Sequence, residues 1–244
     1  MAEPRALPIV TLLAKEEVAL GTMSFRFSKP DGFDYRAGQF AEYTLPNAEG
    51  TDAESNTHCF SLSSAPYEPF LMSTTRMRDT AFKRALRDLP IGTELQLDAP
   101  FGLFTLNNVT QRPAVFLTGG IGITPVRSMV LQALHENTEQ DITVFYSNRR
   151  PEEAAFLAEF AQLAESNPRL TLVATITAPD TSEREWDGET GHITAAMLSK
   201  YLDDLSSPIF YPCGPISMVK SIQGALVAAG VDEDDIRTEE FTGY

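Results

Sequence analysis

Phe116-Leu-Thr-Gly-Gly-Ile-Gly-Ile-Thr-Pro125 is the stretch that decides the fold of this 244-residue chain. An apolar run, Ala114–Thr118, enters three glycines, Gly119, Gly120 and Gly122, and a segment over Val126–Leu134 with helical spacing follows. The reading is strand, tight turn, helix, with Thr124 as N-cap and Pro125 at the first helical position. Backbone without side chains approaches a pyrophosphate closely, and the helix N-terminus behind it offers unpaired N–H groups and a favourable dipole. The pattern is GGxGxxP and not GxGxxG, and a tight turn with no ligand would share it.

The same grammar continues downstream. Strands at Ile142–Ser147, Leu170–Thr177 and Ile209–Cys213 alternate with helices at Glu152–Ala164, Ala195–Tyr201 and Ile216–Ala229. That rhythm predicts a doubly wound parallel sheet with helices on both faces, in which ligands lie beyond the carboxyl ends of the strands. Tyr211-Pro-Cys-Gly-Pro215 closes the last of these strands, so it reaches the same edge as the glycine turn. Upstream of Leu106–Arg112 the chain reads differently. Short β-type runs at Ile9–Leu13, Thr22–Ser28, Gln39–Thr44, Cys59–Ser63, Phe70–Thr75 and Glu94–Leu97 predict an antiparallel barrel or sandwich. One helix, Thr80–Leu89, interrupts them, and Pro90 and Gly92 end it. The expected domains are 1–108 and 109–244. The acidic stretch Pro179–Glu189 reads as a solvated surface excursion.

Composition narrows the function classes. With 19 Lys+Arg against 34 Asp+Glu the net charge is −15, which opposes nucleic-acid binding and keeps the chain soluble. Cys59 and Cys213 are too few for an iron–sulfur cluster or a four-thiolate zinc site, and His58, His135 and His192 show no ligand spacing, so no metal is expected. No apolar run approaches the ~20 residues of a membrane span. The opening MAEPRALPIVTLLAKEE reads as a first strand and not a signal peptide, and a cytoplasmic protein is expected.

Six short pieces stand in a telling order: Tyr35-Arg-Ala-Gly-Gln-Phe40, Phe60-Ser-Leu-Ser-Ser64, Pro100-Phe-Gly-Leu-Phe104, the glycine turn, Cys213-Gly-Pro215 and Glu239-Glu-Phe-Thr-Gly-Tyr244. Together they cover nearly the whole chain and resemble the ferredoxin–NADP reductase superfamily of two-domain flavoprotein reductases, here without an iron–sulfur domain. The resemblance implies a flavin-binding barrel, an NAD(P)-binding α/β domain, and hydride passage from nicotinamide to FAD, then electrons to a separate protein or small-molecule acceptor.

It also implies site residues. Phe60 falls where an aromatic packs on the flavin, with barrel core as its other reading, and Ser61 where a hydroxyl meets the flavin N5 edge. His58 stands where the family usually has an arginine, and a mostly neutral imidazole is a poorer phosphate clamp. The second flavin-phosphate site falls on Thr75, Arg76, Arg78 and the N–H groups of Thr80, Ala81 and Phe82, with Lys83 a further cation. Thr118, Gly119, Gly120, Gly122 and Thr124 would line the NAD(P)H pyrophosphate and ribose. Cys213 and Gly214 would lie at the nicotinamide, Cys213 being otherwise an inert buried thiol. Arg149 and Arg150 stand where relatives read the adenosine 2′ position, a lean toward NADPH with NADH open. Phe241 or Tyr244 would cover the flavin, and Glu240 would frame the hydride zone with Ser61 and Cys213. FAD is expected over FMN by resemblance alone. A cluster of Arg76, Arg78, Lys83, Arg84 and Arg87 could dock an acidic carrier, which would make reduction rates salt-dependent. Two rival functions are a flavin- or nucleotide-binding subunit without turnover and a reductase that uses free flavin as substrate.

Overall fold

Alternation drives the first sheet. In the strand β1 (Ile9–Ala19), Val10 and Leu12 point inward, as do Phe25 and Phe27 of β2 (Thr22–Ser28) and Ala41 and Tyr43 of β3 (Phe40–Thr44). Leu95 and Leu97 of β6 (Glu94–Phe101) complete the same core, with β4 (Thr57–Ser61) and β5 (Phe70–Arg76) beside them. The strands run antiparallel in the order β4-β3-β6-β1-β2-β5, and a bridge between Leu62 and Ser73 joins the two ends into a barrel. Helix α1 (Ala81–Asp88) closes one end by burying Phe82 and Leu86, and its N-cap Thr80 accepts from the Lys83 N–H. The structure is a computed structural model and describes residues 7–46, 56–107 and 112–242.

The second sheet is wholly parallel, in the order β10-β9-β8-β7-β11-β12. Its strands are β7 (Ala114–Gly119), β8 (Ile142–Asn148), β9 (Leu170–Ile176), β10 (Glu189–Thr190), β11 (Ile209–Pro215) and β12 (Glu239–Phe241). Every residue of β7 is buried, as a central parallel strand covered on both faces requires. One face packs Phe116, Val144 and Tyr146 against α2 (Ile123–His135) and α3 (Leu157–Ser166), with Val126, Met129 and Phe160 among the buried residues. The other packs Val115, Leu117 and Phe145 against α4 (Ala195–Tyr201) and α5 (Ile216–Ala228) through Met197, Ile222 and Leu226. The strand order reverses between β7 and β11, so the cleft outside their carboxyl ends is the topological switch point.

The barrel joins the first of these faces, where Phe104, Val18, Ala19 and Ala37 pack on the same core. Each sheet draws on one side of the polar connection, and the expected division at 108/109 falls on residues outside those described.

Two helix starts differ from the sequence reading. The glycine turn is a 3-10 turn over Gly120–Gly122, so Gly122 is the N-cap of α2, while Thr124 lies inside the helix and donates to the Ile121 carbonyl at 3.0 Å. The free N–H positions of the first turn tolerate Pro125 there. The helix expected from Glu152 begins at Leu157, because Pro151–Glu153 forms its own 3-10 turn and Phe156 takes a left-handed conformation at φ 61°. That arrangement leaves the Glu152 carbonyl to accept from the Leu20 N–H of the barrel at 2.8 Å.

Candidate functional site

At the switch point β7 and β11 are paired so that Thr118 faces Cys213. The two glycine-bearing turns interlock. A Cβ on Gly122 would overlap the Cys213 carbonyl oxygen, and one on Gly214, whose φ is 143°, would stand 2.9 Å from the Gly119 carbonyl oxygen. The result is a ledge of bare backbone at the N-terminus of a 13-residue helix, which suits a phosphate group. Beside it the Thr118 hydroxyl is fully buried and has no hydrogen-bond partner, the one such side-chain atom among the described residues. An orphaned hydroxyl costs free energy unless something binds it, so the ledge is built for a polar ligand. Cys213 is wholly buried, and its thiol is pushed well above its ordinary range by burial and then by the carboxylate of Glu239. It is a neutral, inert thiol and not a nucleophile.

The barrel offers a complementary surface. His58 and Phe60 lie two apart on β4 and so share one face, and with Phe82 of α1 they form an aromatic cluster with ring centroids 5.0 to 5.9 Å apart. Burial and then Lys83 lower the His58 pKa, which leaves a neutral ring suited to stacking and poor as a phosphate clamp. Phe60 also reaches the barrel core, 6.2 Å from Tyr43, so both readings of this residue hold in part. Thr75 is buried at the end of β5, and Ala81 and Phe82 open α1 with the N–H groups of its first turn, whereas the Thr80 N–H, expected beside them, donates to the Arg78 carbonyl at 2.8 Å. Ser61 pairs with Phe40 at the end of β4.

A buried ion network ties these two surfaces together. Two residues beyond Ser61, the Ser63 carbonyl accepts from Nη1 of Arg127 at 2.7 Å, and Arg127 sits on α2, one turn after the glycine ledge. The guanidinium also holds Glu68 of the barrel at 3.0 Å and Glu159 of α3 by a two-pronged pair at 2.8 Å. It lies 5.2 Å from the centre of the Phe156 ring. Next to it Ser128 donates to the Ser64 carbonyl at 2.6 Å, and the Tyr35 hydroxyl donates to the same oxygen. The strand that ends in Ser61 is therefore clamped to the helix that carries the ledge.

Residues 116–224 match the oxidoreductase NAD-binding domain family. The fold is that of the FAD/NAD-binding domain of nitric oxide dioxygenase from Vibrio cholerae, with a TM-score of 0.85 at 24% identity over 97% of this chain and 99% of that one. A ferredoxin NADP+ reductase from Neisseria gonorrhoeae, solved with bound FAD and NADP, superposes with a TM-score of 0.79 at 21% identity, covering 96% and 98% of the two chains. The chain therefore has the two-domain fold of these reductases, and residues 116–224 carry the NAD-binding family match. The glycine betaine monooxygenase reductase subunit of Chromohalobacter salexigens is 27% identical over 223 residues, 90% of this chain and 60% of the relative. The chain thus spans about 60% of the length of that relative.

Several expected residues are placed otherwise than the sequence implied. Register pairs Cys213 with Glu239 and Gly214 with Glu240. Glu240 is exposed, whereas Glu239 is half-buried and its carboxyl is raised by burial, so Glu239 is the acid beside Cys213. Two adjacent acids in a strand point oppositely, and only the register against β11 tells which turns inward. Phe241 pairs with Pro215 and packs partly on the core below the ledge; Tyr244 lies outside the described residues.

The cationic cluster is not a free patch. Arg84 pairs with Asp79, Arg87 with Asp88, Lys83 donates to the Arg76 carbonyl at 2.7 Å, and Arg76 pairs with Glu153 of the other domain at 3.3 Å. Sequence spacing marked the basic residues and missed these partners, one of which, Glu153, lies on a distant segment. Arg127 and Glu153 carried no motif and were missed entirely. A groove of about 1300 Å³ also runs along the seam past Ala19, Arg26, Arg150 and Phe156, away from His58, Phe60, Ser61 and Cys213.

Proposed function

We propose that the protein is an NAD(P)H-dependent, FAD-containing reductase that passes electrons to a separate acceptor, a protein carrier or a small molecule. The observation that carries this reading is the clamp through Arg127, which holds the end of β4 at Ser61 against the helix that starts from the Gly119–Gly122 ledge. A ligand on the ledge and one on the His58–Phe60–Phe82 face would then meet at one edge. The solved relative with FAD and NADP, and the reductase role in the name of the Chromohalobacter relative, support it.

Bound FAD would supply the hydride-accepting and electron-relaying chemistry. The chain would supply orientation. Thr118 offers its free hydroxyl to the nicotinamide side, Ser61 its hydroxyl to the flavin edge, and Cys213 a small neutral side chain beside them. Glu239, and not Glu240, would be the nearby acid. Phe241 would shield the site, and the α1 N-terminus with the Ala81 and Phe82 N–H groups would meet flavin phosphate. We assign residues 1–108 to flavin and 109–244 to the nucleotide.

The test is spectroscopic. Purified protein should be yellow and should bleach under argon on addition of NADH or NADPH, with ferricyanide restoring the colour. Bound flavin that no nicotinamide bleaches would overturn the reading in favour of a binding subunit. The neutral His58 favours a second reading, a loosely held flavin that acts as substrate. Colourless protein that oxidises NAD(P)H only on added flavin would select it.

A further inference from the structure

The groove of about 1300 Å³ along the domain seam belongs to neither the glycine ledge nor the His58–Phe60–Phe82 face. Its buried end is lined by Ser24 and Met72 of the barrel and by Arg127, Ala154 and Phe156 of the other domain. The first four are buried and Phe156 is half-buried. Exposed charges of both signs, Glu16, Glu17, Arg26, Glu183 and Arg184, stand at its mouth. Phe156 is the odd residue in this wall. At φ 61° it holds a left-handed conformation that glycine adopts freely and a bulky side chain rarely does, so its ring is kept there against backbone strain. Arg127 carries a second oddity. Of the five N–H donors of a guanidinium, Nε and one Nη2 hydrogen go to Glu159, and the Nη1 pair goes to Ser63 and Glu68. One Nη2 hydrogen is left with no acceptor among the described residues, on a side chain only 9% exposed. A buried charged donor left unspent is costly until an acceptor takes it.

We propose that this end of the groove binds a small neutral molecule with an apolar body and one hydrogen-bond-accepting oxygen, of the ketone or ester class. The oxygen would take the free Nη2 hydrogen of Arg127, a bond strengthened by the donor's charge. The body would lie on Met72, Ala154 and Phe156, with Leu157 and Ala161 further along α3. Neutrality follows from the local charges. Arg127 already has Glu68 and Glu159. Arg150, expected at the nucleotide, is turned to Glu153 at 3.1 Å from Nε and to Glu152 at 3.6 Å from Nη1. An anion beside Arg127 would meet the carboxylate of Glu159, and a cation would meet the guanidinium. Either ion would lose water without gaining a free partner. The mouth exerts little net pull, with three acids against two arginines. Because the lining comes from both domains, an occupant binds only the folded pair and raises its unfolding temperature. This site goes beyond the reductase reading and does not depend on it.

The probes are acetophenone, ethylbenzene, benzoate and benzylamine, which share a phenyl ring and differ in the group it carries. Each is titrated calorimetrically into the full chain, with and without saturating FAD and NADPH. Acetophenone should bind about ten-fold more tightly than ethylbenzene, the return on one hydrogen bond to a charged donor, and more tightly than either ion. Its affinity should change by less than about two-fold when FAD and NADPH are present, since their sites lie elsewhere. Ala158→Trp, which fills the groove from an exposed position, should weaken acetophenone by about ten-fold or more. Phe156→Gly should weaken it several-fold, and the tryptophan variant carries the test if the glycine one does not fold. Equal binding of ethylbenzene, or tighter binding of benzoate or benzylamine, would overturn the proposal. So would an acetophenone affinity that both variants leave intact, displacement by FAD or NADPH, or no binding of any probe. A parent protein that ignores NADPH yet binds acetophenone in this pattern would refute the reductase reading and leave the groove site standing.

Discussion

Replacing Arg127 with alanine tests the clamp on which the site depends. The guanidinium is 9% exposed and satisfies Glu68, Glu159 and the Ser63 carbonyl at once. Its removal leaves Glu68, 12% exposed, without a counter-charge and with the Ala65 N–H as its remaining donor at 2.7 Å, and leaves the Ser63 carbonyl without the guanidinium. Breaking a buried ion pair from one side costs about 3–5 kcal/mol. Glu159 is 34% exposed and regains water, which places the loss near the lower end, about 3 kcal/mol. At about 2–4 °C per kcal/mol for a chain of this size, the unfolding midpoint should fall by roughly 6–12 °C. Scanning calorimetry reads the shift, and urea unfolding of the Arg127→Ala, Glu68→Gln and double variants gives the coupling between the pair. The double variant should lose less than the sum of the single ones, because the orphaned carboxylate is gone. Reduction of bound flavin by nicotinamide should slow in parallel. A loss under about 1 kcal/mol, or strict additivity in the cycle, would refute the claim that Arg127 ties the two domains.

Three further outcomes are expected. Thr118→Val removes a hydroxyl that has no partner in the ligand-free protein, so stability should hold or rise by up to about 1 kcal/mol while the KM for nicotinamide nucleotide rises several-fold; an unchanged KM would separate Thr118 from the nucleotide. Glu239 has its carboxyl raised above the ordinary 4.5 by burial, so the folded state holds its proton longer than the unfolded chain and loses that advantage as pH climbs past 4.5. Glu239→Gln should therefore match the parent near pH 4 in urea unfolding and exceed it near pH 7. Cys59 is exposed, yet its thiol is pushed up to about 11 by partial burial and by Glu42, whose carboxylate accepts from Sγ at 3.2 Å. Alkylation of Cys59 by iodoacetamide should rise steadily from pH 8 to about pH 11, and Glu42→Gln should shift that profile to lower pH. Cys213 should stay unlabelled until the protein unfolds, and equal labelling of both thiols in the native protein would contradict its burial.

Local pattern made much of this protein readable. Period-two burial in β2 and the fully apolar β7 carry their own assignment, because side chains alternate in a one-sided strand and do not in a central parallel one. The glycine turn was visible since only bare backbone permits the approach of Gly122 to the Cys213 carbonyl. The start of α3 was not. Its displacement to Leu157 depends on Phe156 near Arg127 and on the Glu152 carbonyl meeting Leu20, contacts from residues far along the chain.

From the order of residues alone came two domains, their sheet types and the ledge at Gly119–Gly122, since each follows from spacing and backbone freedom within a short segment, while the aromatic–serine pair at Phe60 and Ser61 came from the family resemblance. Tertiary structure decided which charges are free. Arg127 and Glu153 lie buried at the seam, Arg149 is left exposed, and Glu239 rather than Glu240 faces Cys213. The physical reason is that a charge is neutralised, and an acid turned inward, by strand register and by partners from remote segments, and no local spacing encodes either.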